Sequence, residues 1–547
     1  MEIALEDRVP TFSGGLGVLA GDTLRSCADL RVPVVGVTLL SRKGYFGQAI
    51  DPDGAQREKP ASWKPEDVLA PLPATARIDL EGRAVEVRVW RHEILGADGY
   101  VVPVLFLDTD VPGNTEQDRH VTDHLYGGDD AYRLSQEIVL GIGGIRALKA
   151  LGYSSIQKIH MNERHSSLAA LELLRERGSA GEADFRAVRE RCIFTTHTPV
   201  PAGHDRFDHG MVRRLLGEPV PGDVLAMLSG KDRLNMSLLA LNLSRYVNGV
   251  ARKHREVSEQ LFPGQDIRHI TNGVHSLTWT CAGFRDLFDR HCPGWREDPF
   301  MLRKVLVAPE EELWRAHQGA KAALLDLIAA RTGRRFRPDL LTIGFARRAT
   351  AYKRATLLFR DVERLRQLGR GVLQLVFAGK AHPADGDGKA VIRQIHDYAR
   401  LLGEDVPTVF LPGYDLELAK ALVSGVDVWL NTPLRPLEAS GTSGMKAAHN
   451  GVPSLSVLDG WWVEGCVEGV TGWPIGPETV PAAREPGAVD ADDAADLYRR
   501  LEHEVMPAFY QSQPRWLAIM KHCIALNASF FNSHRMVQQY VTNAYLP

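Results

Sequence analysis

The chain has no apolar run near the 18 or so residues that a membrane-spanning helix needs, and its N-terminus lacks a signal-peptide pattern. Neither membrane insertion nor export is expected. Charge of one sign is also missing: 65 Lys and Arg stand against 68 Asp and Glu, a formal net charge of −3. No overall basic field exists to draw in nucleic acid or anionic lipid. Cysteine is sparse. Cys27, Cys192, Cys281, Cys292, Cys466 and Cys523 form no CxxC and no paired zinc spacing, so a metal site is not expected. Free thiols, a balanced charge and no span describe a soluble cytoplasmic protein. There is no internal repeat, and the one biased stretch is a mildly Ala/Asp-rich loop at 481–494.

What is present is length and alternation. At 547 residues the chain exceeds one core and predicts two large domains. The second half reads strand, helix, strand in a regular way. Strands are expected at 340–346, 373–378, 408–411 and 426–430, and helices at 355–368, 389–402 and 416–423. Short apolar strands alternating with helices predict a parallel sheet wound on both faces, with ligands at the strands' carboxyl ends. The first half repeats the theme at 34–40, 156–161 and 192–196. Residues 77–110 alternate instead in the antiparallel manner and read as an inserted β excursion. The hinge is expected between about 275 and 300. This gives an N-terminal α/β domain at 1–285, a C-terminal α/β domain at 286–513, and a terminal helical segment at 514–547 that crosses back.

Five segments carry candidate chemistry. Glu438-Ala439-Ser440-Gly441-Thr442-Ser443-Gly444-Met445-Lys446 joins a buried strand to a helix start. Its backbone N–H groups at the positive helix end form a seat for phosphate, although a plain capping loop has the same composition. Ser13-Gly14-Gly15-Leu16-Gly17 lets backbone approach a ligand closely, or is simply a turn. Arg347-Arg348-Ala349-Thr350-Ala351-Tyr352-Lys353-Arg354 places four cations after a strand end, as a solvated face would, or as a site for two phosphates would. His197, in Thr195-Thr196-His197-Thr198-Pro199, ends another strand, and Thr271-Asn272-Gly273-Val274 reads as a turn.

The lead motif, Glu-Ala-Ser-Gly-Thr-x-x-Met-Lys, resembles the pyridoxal-phosphate attachment segment of the glycogen/α-glucan (maltodextrin) phosphorylases. The glycine loop and basic cluster resemble that family's Gly-Gly-Leu-Gly and Lys-Arg-x-His-x-Tyr-Lys-Arg. The matches keep one order from Gly14 to about Glu464, and the chain is similar to the short bacterial type. The resemblance implies a GT-B fold, two doubly wound domains facing a cleft. It implies pyridoxal 5′-phosphate held covalently on Lys446, with Arg347 on the cofactor phosphate and Thr442, Ser443, Tyr414 and Gly15 beside the cofactor. Arg348 and Lys353 would hold inorganic phosphate. Gly14, Gly15, Leu16, His197, Asn272, Glu438, Ser440 and Gly441 would bind sugar. Departures are Arg347 for lysine, Thr350 for histidine, Ser443-Gly444 for Gly-Asn, and Asn162-Glu163-Arg164-His165 for Asn-Asp-Thr-His, on the acceptor side. The family usually has more sequence before its glycine loop, so an N-terminal segment is expected to be missing here. Control by phosphorylation or nucleotides is not expected.

The implied reaction is reversible transfer of a terminal α-1,4-linked glucosyl unit from a glucan or maltodextrin to inorganic phosphate, giving glucose 1-phosphate with retention. The cofactor's 5′-phosphate would act as proton relay, its second pKa being near 6. A homo-oligomer is compatible with this reading. Three rivals remain. A retaining glycosidase needs two carboxylates about 5 Å apart, and Glu438 has no obvious partner in the sequence. A nucleotide-sugar-dependent glucan synthase would need no lysine after the loop. A catalytically inactive glucan-binding protein would tolerate the departures at Thr350 and Ser443.

Overall fold

The computed structural model describes residues 1–479 and 485–546; positions 480–484, which run into the Ala/Asp-rich stretch, and position 547 lie outside it. The chain divides into two units. The first comprises residues 1–46, 60–271 and 537–547, and the second comprises 47–59 and 272–536. The division thus falls between Thr271 and Asn272, ahead of the expected boundary at 285.

In the first unit, β1 (Gly36–Leu39) is followed by the hairpin β2 (Gly47–Ile50) and β3 (Gln56–Lys59), which groups with the second unit. Then come β4 (Ala70–Leu80), β5 (Arg83–Leu95) and β6 (Val101–Asp108), which form the antiparallel excursion. β1 does not join the other parallel strands as expected; it pairs parallel with β6 in the order β1-β6-β5-β4. The reason lies in β6, whose residues from Val104 to Asp108 are nearly all buried and need a hydrogen-bonded neighbour on each edge. A second, all-parallel sheet has the order β12-β11-β8-β7, from β7 (Ile159–Asn162) and β8 (Cys192–Thr195). After the small ribbon β9 (Arg206–Asp208) and β10 (Arg233–Asn235) follow β11 (Tyr246–Gly249) and β12 (Arg268–His269). Asn248 accepts from the Thr195 hydroxyl at 2.9 Å and donates to the Tyr540 hydroxyl at 3.1 Å, so the C-terminal segment is tied into this sheet.

The second unit is a six-stranded parallel sheet of β13 (Leu341–Ala346), β14 (Leu373–Ala378), β15 (Thr408–Leu411), β16 (Val428–Asn431), β17 (Ser454–Val457) and β18 (Gly472–Ile475). Its order is β15-β14-β13-β16-β17-β18, so the winding reverses between β13 and β16. That reversal opens a crevice at the strands' carboxyl ends, where open α/β sheets bind ligands. The opposite end of the same strand pair is locked. Asp427, fully buried, accepts from His317 at 2.8 Å, Lys321 at 2.6 Å and the Thr342 N–H at 2.7 Å. Because the charge is paired and hydrogen-bonded, its burial is tolerable and it fixes the β13–β16 register.

Two further expectations are corrected. The helix expected at 355–368 begins only at Val362, capped by Asp361, after short 3₁₀ turns at Ala351–Lys353 and Leu357–Phe359. The cause is Arg354, whose left-handed backbone (φ +46°) turns the chain so that its guanidinium reaches the Thr432 and Pro433 carbonyls, Asp490 and Asp493. The stretch from Pro486 to Arg500 is a helix rather than a loop, with proline in its first turn. It supplies those two aspartates.

Candidate active site

In the second unit, strand ends deliver the motifs. Arg347 follows β13 immediately, Gly379 follows β14, Gly413-Tyr414 follows β15, and Glu438 lies seven residues beyond β16. Arg347 and Glu438 therefore come from the two strands that flank the sheet reversal. Glu438 Oε2 accepts from Arg347 Nη2 at 2.7 Å and from Lys353 Nζ at 2.5 Å, with all three side chains about nine-tenths buried. Burial alone would raise the Glu438 pKa, but the two cations outweigh it and hold the carboxyl below its usual range. Arg347 keeps two further donors, Nε and Nη1, buried without a partner among the described residues, and the Ser440 hydroxyl is in the same condition. Buried donors of this kind are costly unless something polar meets them. The donor set suits an oxyanion.

The loop carrying Glu438 is held from behind. Asp459, after β17, accepts from the Glu438 N–H at 2.8 Å and the Gly460 N–H at 2.9 Å, and the Trp461 N–H donates to the Ser440 carbonyl at 2.9 Å. Burial, followed by the neighbouring Glu438 charge, pushes Asp459 up to about 7 against those N–H groups and Lys353. Gly441 adopts φ +83°, which glycine takes without strain, and opens the helix Thr442–Ala448.

Lys446 sits in that helix, 8% exposed, with its Nζ 4.0 Å from the centre of the Trp279 ring. Asn450 anchors the helix through the Trp279 carbonyl and the Cys281 N–H, each at 2.8 Å. Ser443 accepts from the Trp429 indole at 2.9 Å. Gly444 has no room for a side chain: a Cβ there would lie 2.8 Å from Trp461 and 2.9 Å from Ser454. Of the Ser-Gly departure, the glycine is thus matched to Trp461 and the serine to Trp429.

Arg348, by contrast, is solvent-exposed and lines an open hollow of about 460 Å³ with Thr350, His382, Ala384 and Asp385. Tyr414 is partly buried, and burial raises its phenol pKa, so it stays neutral. Asn272, at the start of this unit, is 3% exposed, and its Oδ1 has no partner among the described residues.

In the first unit, Gly14 precedes the helix Gly15–Asp29. Added Cβ atoms at Gly14 and Gly15 would meet none of the described residues within 4 Å, so the packing described does not demand glycine there. Leu16 is partly exposed beside them. Glu2 accepts from the Ser13 N–H at 2.5 Å and the Gly14 N–H at 3.2 Å, and its other oxygen accepts from the Tyr126 hydroxyl at 3.1 Å. His197 follows β8, donating its backbone N–H to Glu163 at 2.8 Å, with Nε2 2.6 Å from the Asn162 side-chain oxygen. Burial lowers its pKa, which leaves the ring neutral near pH 7. Glu163, at φ +75°, also accepts from the Thr198 hydroxyl and the Arg164 N–H. Its burial would raise the pKa, but Arg164, His197 and those N–H groups bring it down to about 2.

A continuous polar chain links the two motifs: Glu2 to Tyr126, the Arg133 guanidinium 4.8 Å from that ring, then Asp205, Arg164, Glu163 and His197.

The family model described as carbohydrate phosphorylase matches residues 223–470. A maltodextrin phosphorylase from Thermococcus litoralis is 39% identical across 100% of this chain and 70% of its own length. Glycogen phosphorylases from Mycobacterium tuberculosis and Aquifex aeolicus are 38% and 35% identical over the whole chain, covering 70% and 85% of theirs. The chain belongs to the carbohydrate phosphorylase family.

Within this family member, the expected residues divide by unit. Arg347, Lys353 and Glu438 meet directly, Ser440 and Gly441 share their loop, and Thr442, Ser443 and Lys446 share the next helix. Arg348 stands apart at the hollow, and Gly14, Gly15, Leu16 and His197 belong to the first unit. Arg354, part of the same basic run, faces away as a structural anchor. Asp459, Asp205 and Arg133 were not signalled by any motif; only their buried partners identify them.

Proposed function

We propose that the chain catalyses reversible phosphorolysis of terminal α-1,4-linked glucosyl units of a glucan or maltodextrin, releasing glucose 1-phosphate with retention. Family membership supports this reading, and one observation carries it: the buried Arg347 guanidinium, with two donors unfilled among the described residues, set beside Lys353 at the sheet's reversal point.

Pyridoxal 5′-phosphate is the cofactor, held on Lys446. The residues fit it, since Arg347 has donors to spare, Tyr414 is neutral and Lys446 is nearly buried against Trp279. Bound there, the cofactor's phosphate supplies a proton donor and acceptor with a second pKa near 6. Lys353 and the exposed Arg348 bind inorganic phosphate and offset its charge. Glu438, Ser440 and the Gly441 N–H take sugar hydroxyls, as do Asn272 and the neutral His197. Gly14, Gly15 and Leu16 let the backbone approach sugar and phosphate. Their combined contribution is orientation, which can be worth several powers of ten in rate.

One observation bears on the glycosidase alternative. Glu438 and Asp459 titrate apart, as an acid–nucleophile pair would. Both Asp459 oxygens, however, accept backbone N–H groups, and Glu438 is held by two cations. Hydrolysis needs neither cation.

The test is the absorption spectrum of the native protein, followed by glucose 1-phosphate release from maltodextrin with and without phosphate. A coenzyme band, borohydride labelling at Lys446 and phosphate-dependent release are expected. Lys446→Ala should fold, lack the band and be inert. Sugar release that ignores phosphate, or phosphorolysis retained in Lys446→Ala, would overturn the reading.

A further inference from the structure

The hairpin β2–β3 lies some 330 residues upstream of the loops it touches, yet it groups with the second unit. On it, Gln48 and Gln56 are diagonal neighbours on one face, since Gln48 pairs with Glu58 in the antiparallel register. Gln56 Oε1 accepts from the Ala381 N–H at 2.9 Å, and Gln56 Nε2 donates to the Ala381 carbonyl at 2.9 Å and to Glu58 at 2.8 Å. Gln48 Nε2 donates to Gln56 Oε1 at 2.9 Å and to the Gly379 carbonyl at 2.8 Å, while Gln48 Oε1 accepts from the Gly413 N–H at 2.9 Å. All four amide hydrogens are used, and both oxygens face N–H groups. Rotating either amide would set donor against donor, so glutamine is specified by chemistry here, not only by size.

The loops they read are those following β14 and β15. The first is laid directly against the basic segment: the Arg347 N–H donates to the Ala378 carbonyl at 3.2 Å and the Ala349 N–H to the Lys380 carbonyl at 2.9 Å. Gly379, at φ +147°, approaches so closely that a Cβ would lie 2.0 Å from the Arg347 carbonyl oxygen. A displacement at 379–381 is therefore transmitted to the backbone that carries Arg347, and one at Gly413 to Tyr414.

We propose that Gln48 and Gln56 are positioning residues: a two-amide clamp, borne by the N-terminal hairpin, that sets the Gly379–Ala381 and Gly413 loops and through them Arg347 and Tyr414. The function of the clamp rests on the phosphorolysis reading above, whereas its existence does not. The hairpin's outer contacts, Asp53 with Arg393 and Glu58 with Lys389 at 2.9 Å, dock it without touching these loops.

The experiment compares Gln56→Glu, which keeps shape but removes both donors, Gln48→Met, and the docking control Arg393→Ala, each in the full chain. Two readouts are taken: amide hydrogen exchange over peptides containing Ala381 and Gly413, and kcat with the separate KM values for phosphate and maltodextrin. Both glutamine variants should exchange at least tenfold faster in those peptides. Their phosphate KM should rise or kcat fall at least tenfold, with the maltodextrin KM within about twofold of wild type. Arg393→Ala should match wild type in both. Unchanged exchange would overturn the clamp; faster exchange with kinetics within twofold of wild type would overturn its positioning role. Equal effects in Arg393→Ala would overturn both. If one glutamine variant does not fold, the other decides by the same criteria. Failure of both to fold would show a core role instead, and overturn the proposal. A wild type without phosphorolysis sinks the proposed reaction, and exchange still decides the clamp.

Discussion

Arg347 and Glu438, 91 positions apart in the chain, join at 2.7 Å where the sheet of the second unit reverses. Their pairing means that a carboxylate of the protein uses donors that an oxyanion would also use. In protein stripped of cofactor, Glu438→Gln removes the charge and leaves Arg347 and Lys353 buried without a counter-ion, a change that typically costs about 3–5 kcal/mol. The variant is expected to melt several degrees below wild type in phosphate-free buffer. Added phosphate should raise its melting temperature more than it raises that of wild type. Equal shifts in a thermal melt with and without phosphate would show that the anion does not use these cations.

Arg348 differs from Arg347 in being exposed beside the 460 Å³ hollow. It can meet a phosphate arriving from solvent without disturbing the Glu438 pair. Arg348→Ala is therefore expected to raise the KM for inorganic phosphate at least tenfold, leaving the KM for maltodextrin within about threefold and stability within about 0.5 kcal/mol. Steady-state kinetics with each substrate varied in turn will check this. Equal rises in both constants would remove Arg348 from the phosphate side.

Much of the second unit could be read directly from the chain, because its signals are local. The apolar runs 373–378 and 408–411 are the observed strands β14 and β15, and the Gly/Ser/Thr loop does run into a helix carrying Lys446. What local signals cannot carry is partnership. β1 reads as one more parallel strand, and only the burial of β6 on both edges explains where it goes. Arg354 has the same chemistry as Arg347 and sits in the same run; its different direction depends on Asp490 and Asp493, more than 130 positions away. Gln48 and Gln56 belong to no motif, and the loops they hold lie in the other half of the sequence.

Gly444 offers a test of how a local departure is compensated. Its missing side chain makes room for Trp461, 2.8 Å from where a Cβ would stand, and that tryptophan in turn holds the Ser440 carbonyl through its N–H. Gly444→Asn, which restores an amide at this position, is expected to destabilise the protein by about 1–3 kcal/mol through overpacking. Pairing it with Trp461→Ala should recover part of that loss, as sites in contact are not additive. Additive effects in denaturant melts would disprove the compensation.

Asp459 allows the sign of a pH effect to be stated in advance. Its folded-state pKa of about 7 lies above the ordinary aspartate value. Between roughly pH 4 and 7 the folded protein therefore binds more proton at this site than the unfolded chain does. The contribution is fully present below the unfolded value and is lost as pH rises through 7, with a slope of up to about 1.4 kcal/mol per pH unit. Asp459→Asn cannot titrate. Its amide also sets an NH₂ group against one of the N–H groups of Glu438 and Gly460, so the variant should be less stable than wild type at pH 5. The gap should then narrow steadily towards pH 7.5, because only wild type loses stability from this site on the way. Paired melts of the two proteins across that range measure the gap. If it stays constant, Asp459 titrates as an ordinary carboxylate, and the N–H groups of Glu438 and Gly460 stabilise its ionised form strongly enough to cancel the cost of burial.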